Sequence, residues 1–240
     1  MFSLVFAALF ACAPQSEVDA LSTRIEALEK KVESGAVGKP GAAAAPVDTV
    51  KEEAATKLLT EVQEARKAMD FTTAKTKLAE LKATYADTKA GKASARVAAE
   101  LDVVGIDAKP VEVEKWFTKK QGKLEEGKAT MLVFWEVWCP HCKREVPKLP
   151  ELQDKWKSKG LNIVALTKVT KSSTDESVEA FIKENKLEGI PVGKEKDGTM
   201  SAAYSVSGIP AAAIVKDGKV VWRGHPAQLD DAAFTKLLGS

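Results

Sequence analysis

The stretch Met131-Leu-Val-Phe-Trp-Glu-Val-Trp-Cys-Pro-His-Cys142 constrains this chain more than any other. Met131–Trp135 is apolar, aromatic and free of charge, the pattern of a short strand buried on both faces of a sheet. Two cysteines separated by two residues follow it closely. Lys143–Lys159 then places Val146, Leu149, Leu152 and Trp156 at helical spacings of three and four, with Pro147 and Pro150 expected to kink or break the first turns. The cysteines therefore fall where a strand hands over to a helix. Free N–H groups and the helix dipole stabilise a thiolate there, and a second cysteine one turn on can close a disulfide. That is the sequence form of a dithiol redox centre. Zinc, the common alternative, needs further Cys or His ligands. Outside the pair the chain has only Cys12 and His225, so no metal site is expected. A merely structural disulfide is the other alternative.

The remaining patterns extend this unit. Leu161–Leu166 reads as a second buried strand. Ser177–Asn185 reads as a helix with Val178, Phe181 and Ile182 on one face. Ala211–Val215 and Val220–Arg223 flank Lys216-Asp217-Gly218-Lys219, and Asp-Gly between apolar runs predicts a hairpin. Leu229–Leu238 closes as a helix. The order predicts an α/β domain, a mixed sheet with helices on both faces.

Phe134-Trp135, Trp138-Cys139-Pro140-His141-Cys142 and Lys143-Arg144-Glu145-Val146-Pro147 resemble the TlpA-like branch of the thioredoxin superfamily, extracytoplasmic thiol–disulfide oxidoreductases. Ser205-Val-Ser-Gly-Ile-Pro210, followed by Ala211–Val215, resembles the loop that carries that family's cis-proline. The resemblance covers residues 106–240 and implies a thioredoxin-like fold. It implies that Cys139 is the solvent-facing, attacking thiolate and Cys142 the buried, resolving thiol. The redox-active group is then the Cys139–Cys142 disulfide, with no other cofactor. It also implies a cis Ile209–Pro210 bond that offers the backbone of Ile209 to an extended substrate. The alternative there is a trans loop proline.

Pro140 and His141 hold the positions that tune the couple. A protonated His141 would stabilise the thiolate and make the disulfide more oxidising; the plainer reading is a solvated loop histidine. Pro-His is also the dipeptide of the DsbA-type periplasmic oxidases, whereas many TlpA-like proteins are reductants. Glu145 matches a glutamate that TlpA-like proteins carry near the dithiol, to relay protons or shift thiol pKa values. It reads equally as a first-turn glutamate favoured by the helix dipole. Glu136 is expected to be a solvated loop residue. Val133 stands where thioredoxins proper carry a buried acid, which leaves the proton acceptor unassigned. Trp138 would shape a docking surface, and Trp135 reads as core.

The first half of the chain reads as an anchor and a spacer. Met1–Cys12 is almost wholly apolar, ends Leu9-Phe10-Ala11-Cys12 and resembles a lipobox with Cys12 as the lipidated residue, although no Lys or Arg precedes the run. A stray or cleaved hydrophobic leader is the alternative. Within residues 13–34, Val18, Leu21, Ile25, Leu28 and Val32 form a short heptad seam, either an oligomerising coiled coil over 18–32 or a simple amphipathic helix. Residues 35–47 are an Ala/Gly/Pro linker. Residues 48–105 read as all-helical: Val50 to Met69, Phe71 to Tyr85, and Val97 to Val104. The middle pair resembles a tetratricopeptide hairpin, and a helical spacer is the simpler reading.

Net charge is +2 over 240 residues, with 36 basic and 34 acidic side chains interspersed, so nothing calls for nucleic acid. The expectation is a thiol–disulfide oxidoreductase, lipid-anchored on the periplasmic side of a bacterial envelope. It would act on cysteine-containing proteins and exchange electrons with a membrane redox partner. Oxidase, reductase and isomerase directions stay open, and reductants of this kind include proteins serving cytochrome c maturation. The rival reading is a lipoprotein scaffold whose helices recruit a partner. A thiol peroxidase fits poorly, because no Thr-x-x-Cys surrounds Cys139.

Overall fold

The computed structural model describes residues 48–171 and 173–239, all within one compact unit, Asp48–Ser240. Cys12, the leader, the heptad seam of residues 18–32 and the linker lie outside the described residues. The chain enters through four helices: α1 (Thr49–Lys67), α2 (Phe71–Tyr85), α3 (Lys89–Ala93) and α4 (Ala95–Asp102). Asp48 and Asp70 cap the first two, accepting the backbone N–H groups of Lys51 and Thr73. Ala55, Leu58, Val62, Ala74, Leu78, Leu81, Ala98 and Leu101 bury the faces these helices share. Val50, expected on the apolar face, is exposed.

Six strands follow: β1 (Val113–Trp116), β2 (Ala129–Trp135), β3 (Leu161–Thr167), β4 (Val192–Glu195), β5 (Ala211–Lys216) and β6 (Lys219–Gly224). They form one mixed sheet in the order β1-β4-β3-β2-β5-β6. Central β2 runs parallel to β3 and antiparallel to β5. All seven of its residues are buried. Met131, Val133 and Trp135 face the larger core with Cys142, Val146, Leu149 and Ile163. Leu132 and Phe134 face the other, with Met200 and Tyr204.

Two of these strands are not legible from pattern. In β1 two charged residues, Glu114 and Lys115, interrupt the apolar signal, as an edge strand tolerates. In β4 four residues include Gly193 and Lys194, and Pro191 precedes them. The helix read over Lys143–Lys159 begins earlier, because Pro140 is tolerated in a first turn. It is α5 (Pro140–Glu145), a 3₁₀ turn at Val146–Lys148 and α6 (Leu149–Trp156). The turn falls at Pro147, which has no N–H to continue the ladder. Then come α7 (Asp175–Glu184), capped by Thr174, the short α8 (Thr199–Ala203), and α9 (Asp231–Leu238), capped by Asp230 rather than starting at Leu229.

The helical segment is docked on the sheet domain. Met69 and Phe71 pack against the larger core. The Gly105 N–H donates to Val220 O at 2.8 Å, the Val220 N–H returns to Ile106 O at 3.0 Å, and the Ala108 N–H reaches Gly218 O at 2.8 Å. Lys75 Nζ donates to Val104 O at 2.8 Å, and Lys236 Nζ to Ala68 O at 2.6 Å. Among the described residues no helix is long and apolar enough to cross a membrane.

This joint is testable because all five tryptophans lie between residues 116 and 222. Leu101, in α4, is 1% exposed. Leu101→Ala should cost about 2–5 kcal/mol, and tryptophan fluorescence should report the same shifted urea midpoint as circular dichroism. A fluorescence transition that ignored the substitution would show the helices and the sheet unfolding independently.

Candidate dithiol site

β2 ends at Trp135 and delivers the next four residues to one end of the sheet. Cys139 is the N-cap of α5, with its backbone N–H on Glu136 O at 3.2 Å. Its Sγ accepts the Cys142 N–H at 3.2 Å. The two cysteines are unbridged. Cys142 is 0% exposed and Cys139 3%, so Cys139 is more enclosed than a solvent-facing thiol would be. Cys139, not Cys142, lines a groove of about 380 Å³ with Trp138, Pro140, His141, Gly208 and Ile209. Burial pushes the Cys142 thiol well up, and the adjacent Cys139 and Glu136 reinforce this, while a backbone contact from Glu136 opposes it.

The Ile209–Pro210 peptide is cis. The Cys139 thiol donates to the Ile209 carbonyl at 3.6 Å, so residues 70 apart in sequence share one sulfur. Pro140 and His141 are exposed. His141 Nδ1 lies 2.5 Å from Arg144 Nη2. Glu145 is half-buried and accepts from Lys148 at 3.0 and 3.1 Å. Among the described residues no group of three or more His, Cys, Asp or Glu side chains could hold a metal.

Glu136 is not the solvated loop residue expected of it. It is 8% exposed and lines the groove. Trp138 Nε1 donates to its Oε2 at 2.7 Å, and the Thr170 hydroxyl donates to the same oxygen. Trp138 is thereby fixed as one wall, with Lys171 Nζ 3.3 Å from the centre of its ring. Strand alternation held the signal: Leu132, Phe134 and Glu136 fall on one face, and that face is buried. Deeper in the groove, Glu195 is buried and accepts the Ser201 N–H at 2.7 Å and its hydroxyl at 2.5 Å. Behind the cis-proline loop, the buried Arg223 guanidinium donates to the carbonyls of Tyr204 (2.8 Å), Ser205 (3.3 Å) and Gly224 (3.1 Å). Burial holds His225 below the ordinary imidazole range, and its Nδ1 accepts the Ala227 N–H at 3.1 Å.

Residues 104–223, half of the chain, match the AhpC/TSA family. The chain belongs to the AhpC/TSA family. This AhpC/TSA protein is similar to the thiol-disulfide oxidoreductase ResA of Bacillus thuringiensis subsp. konkukian, at 38% identity over 97 residues, 40% of this chain and 54% of that protein. It is similar also to the sporulation thiol-disulfide oxidoreductase A of Bacillus subtilis, at 32% identity over 92 residues, 38% of this chain and 55% of that protein. The chain spans about half the length of the curated relatives it matches. A solved thioredoxin-like superfamily protein, SPOA0173, superposes with a TM-score of 0.50 at 20% identity, covering 56% of this chain and 97% of that one. The fold is thioredoxin-like, as the motif resemblance implies.

Two outcomes follow from this geometry. A thiol held protonated by burial contributes stability that is complete below the pKa of the unfolded thiol. Above about pH 8.5 the unfolded chain loses its proton and the buried Cys142 keeps it, so the reduced protein should lose stability as pH rises. Thermal melts of the reduced protein against pH should show this loss, and Cys142→Ala should flatten it; an unchanged slope in that variant would assign the loss elsewhere. Glu136→Ala leaves a partly buried indole N–H with the Thr170 hydroxyl alone, 3.3 Å away. It should cost about 1–3 kcal/mol in denaturant unfolding, with Glu136→Gln costing less.

Proposed function

We propose that this chain is a thiol–disulfide oxidoreductase of cysteine-containing proteins, carried by Cys139 and Cys142. The observation that carries the proposal is the asymmetry of the pair: Cys139 opens onto a groove beside the Ile209 carbonyl, and Cys142 lies wholly behind it. Cys139, as thiolate, attacks one sulfur of a substrate disulfide, and the other sulfur leaves as thiolate and takes up a proton. Cys142 then gives up its proton and attacks Cys139. The substrate cysteine is released, and the pair ends oxidised while the substrate is reduced by two electrons. The same steps reversed oxidise a substrate dithiol. The raised pKa of Cys142 keeps it from competing with Cys139 for the first attack.

Trp138 and Ile209 form the substrate-facing walls, and Pro210, buried next to them, holds the Ile209 backbone available to an extended chain. Pro140 and His141, between the sulfurs, and Glu145, on the same helix, tune the couple. Cys12 is the lipidated residue that tethers the protein to the bacterial envelope on its periplasmic side, where a membrane partner renews the redox state. Residues 18–32 pair copies of the chain.

A redox titration of the full chain, read by mass after alkylation, tests the proposal. A reversible two-electron couple with both Cys139 and Cys142 protected in the oxidised form is the expected result. A midpoint near about −120 mV assigns disulfide donation, and one at or below about −220 mV assigns reduction. If the pair formed no reversible disulfide, the scaffold reading would replace this one. Cys139→Ser should abolish exchange, whereas Cys142→Ser should accumulate a stable mixed disulfide with substrate on Cys139, visible on non-reducing gels.

A further inference from the structure

One side chain of the helical segment reaches the loop beside the dithiol. Arg96, in the first turn of α4, lays its guanidinium against Gly208 of the cis-proline loop. A Cβ built on Gly208 would stand 3.8 Å from Arg96 Nη1 and 3.9 Å from its Cζ and Nη2. Gly208 adjoins Ile209, whose carbonyl lies 3.6 Å from Cys139 Sγ. Arg96 is thus one residue along the loop from the backbone that faces the reactive sulfur.

Its bonding leaves it available. Arg96 Nε donates to Glu100 Oε1 at 3.1 Å, and among the described residues its Nη1 and Nη2 donate to no protein acceptor. Its side chain is 55% exposed. The other oxygen of the buried Glu100 is taken by Arg66 at 2.5 Å. Two guanidiniums therefore share one carboxylate, and two positive charges less one negative leave one uncompensated. Arg223, buried behind the loop, is hydrogen-bonded only to main-chain carbonyls. On the far side of the groove Lys168 lines the wall and Lys171 covers Trp138, neither in an ion pair among the described residues. The acids nearby, Glu136 and Glu195, are buried beneath the rim and already accept hydrogen bonds from Trp138, Thr170 and Ser201. Glu145 is held by Lys148. What the rim presents to an incoming chain is cationic, and a guanidinium fork with free Nη groups matches a carboxylate.

We infer that Arg96 is a specificity-determining residue that takes an acidic side chain of the substrate polypeptide, one or two residues from the cysteine joined to Cys139. The spacing follows from an extended chain rising about 3.3 Å per residue past Ile209 and Gly208. The helical segment thereby becomes part of the substrate groove. This inference rests on thiol exchange at Cys139.

The test uses the full chain and a set of short peptides, each with one cysteine in a mixed disulfide. The set is identical but for Asp, Asn or Lys at each of the two positions on either side of that cysteine. The readout is the ratio of exchange rate constants, Asp over Lys, at each position. The wild-type ratio should exceed one by about threefold at one flanking position. It should fall toward one in about 0.5 M salt, where screening is short-ranged. Arg96→Lys should keep a preference for Asp at that position, Arg96→Gln should remove it and Arg96→Glu should reverse it. A ratio unchanged in Arg96→Glu, or a wild-type ratio of one at all four positions, would overturn the inference while leaving thiol exchange intact. Absence of exchange with every peptide would overturn the underlying reading instead. Arg96→Lys and the wild-type salt dependence decide the matter even if the reversed charge unfolds α4.

Discussion

Strand β2 can be buried on both faces because it is paired on both edges: its backbone groups are spent on β3 and β5, and its side chains divide between two cores. A central strand so held cannot shift register without carrying every side chain to the wrong face. That rigidity fixes the last residues of the strand and the start of α5. The position of Cys139 is therefore set by the packing of the seven strand residues before it rather than by the loop itself. The second half of the site is fixed in the same way. Ala211–Phe134 pairing ties β5 to the end of β2, so Ile209 and Pro210 must arrive beside the cysteines.

The two sulfurs then differ in what surrounds them. Cys142 joins the core formed by Val146, Leu149 and Trp135, where a charge has no solvation and no cationic partner. Cys139, three residues earlier, keeps one side to the groove and receives a backbone N–H. Around them the polar groups are arranged in depth too. Carboxylates sit below, satisfied by hydroxyl, indole and amide donors, and cations stand at the rim.

How much of this the sequence discloses depends on whether the cause is local. The dithiol, its strand and the following helix are legible because residue type and spacing act within a dozen positions. The hairpin at Asp217-Gly218 is legible for the same reason, and both residues adopt the positive φ that its turn chemistry requires. The strands β1 and β4 are not, since each is four residues long and owes its conformation to its neighbours. Glu136 escaped because a charge at the end of an apolar run reads as solvated, when strand alternation already turned it inward. Arg96 lies 112 positions before Gly208, and no periodicity within α4 points to a loop that distant.

An open sheet has two flanks, and each is an invitation for another chain to add a strand. Here β6 is partly covered by residues 105–108 of its own chain, through the bonds of Gly105, Ile106 and Ala108 and the bridge from Asp107 to Lys219. At the other flank, β1 is short, carries Glu114 and Lys115 and breaks register between Val113 and Lys115. Unwanted intermolecular pairing is discouraged along both margins, so the extended backbone before β5 can stay receptive to a visiting chain without making the whole molecule adhesive.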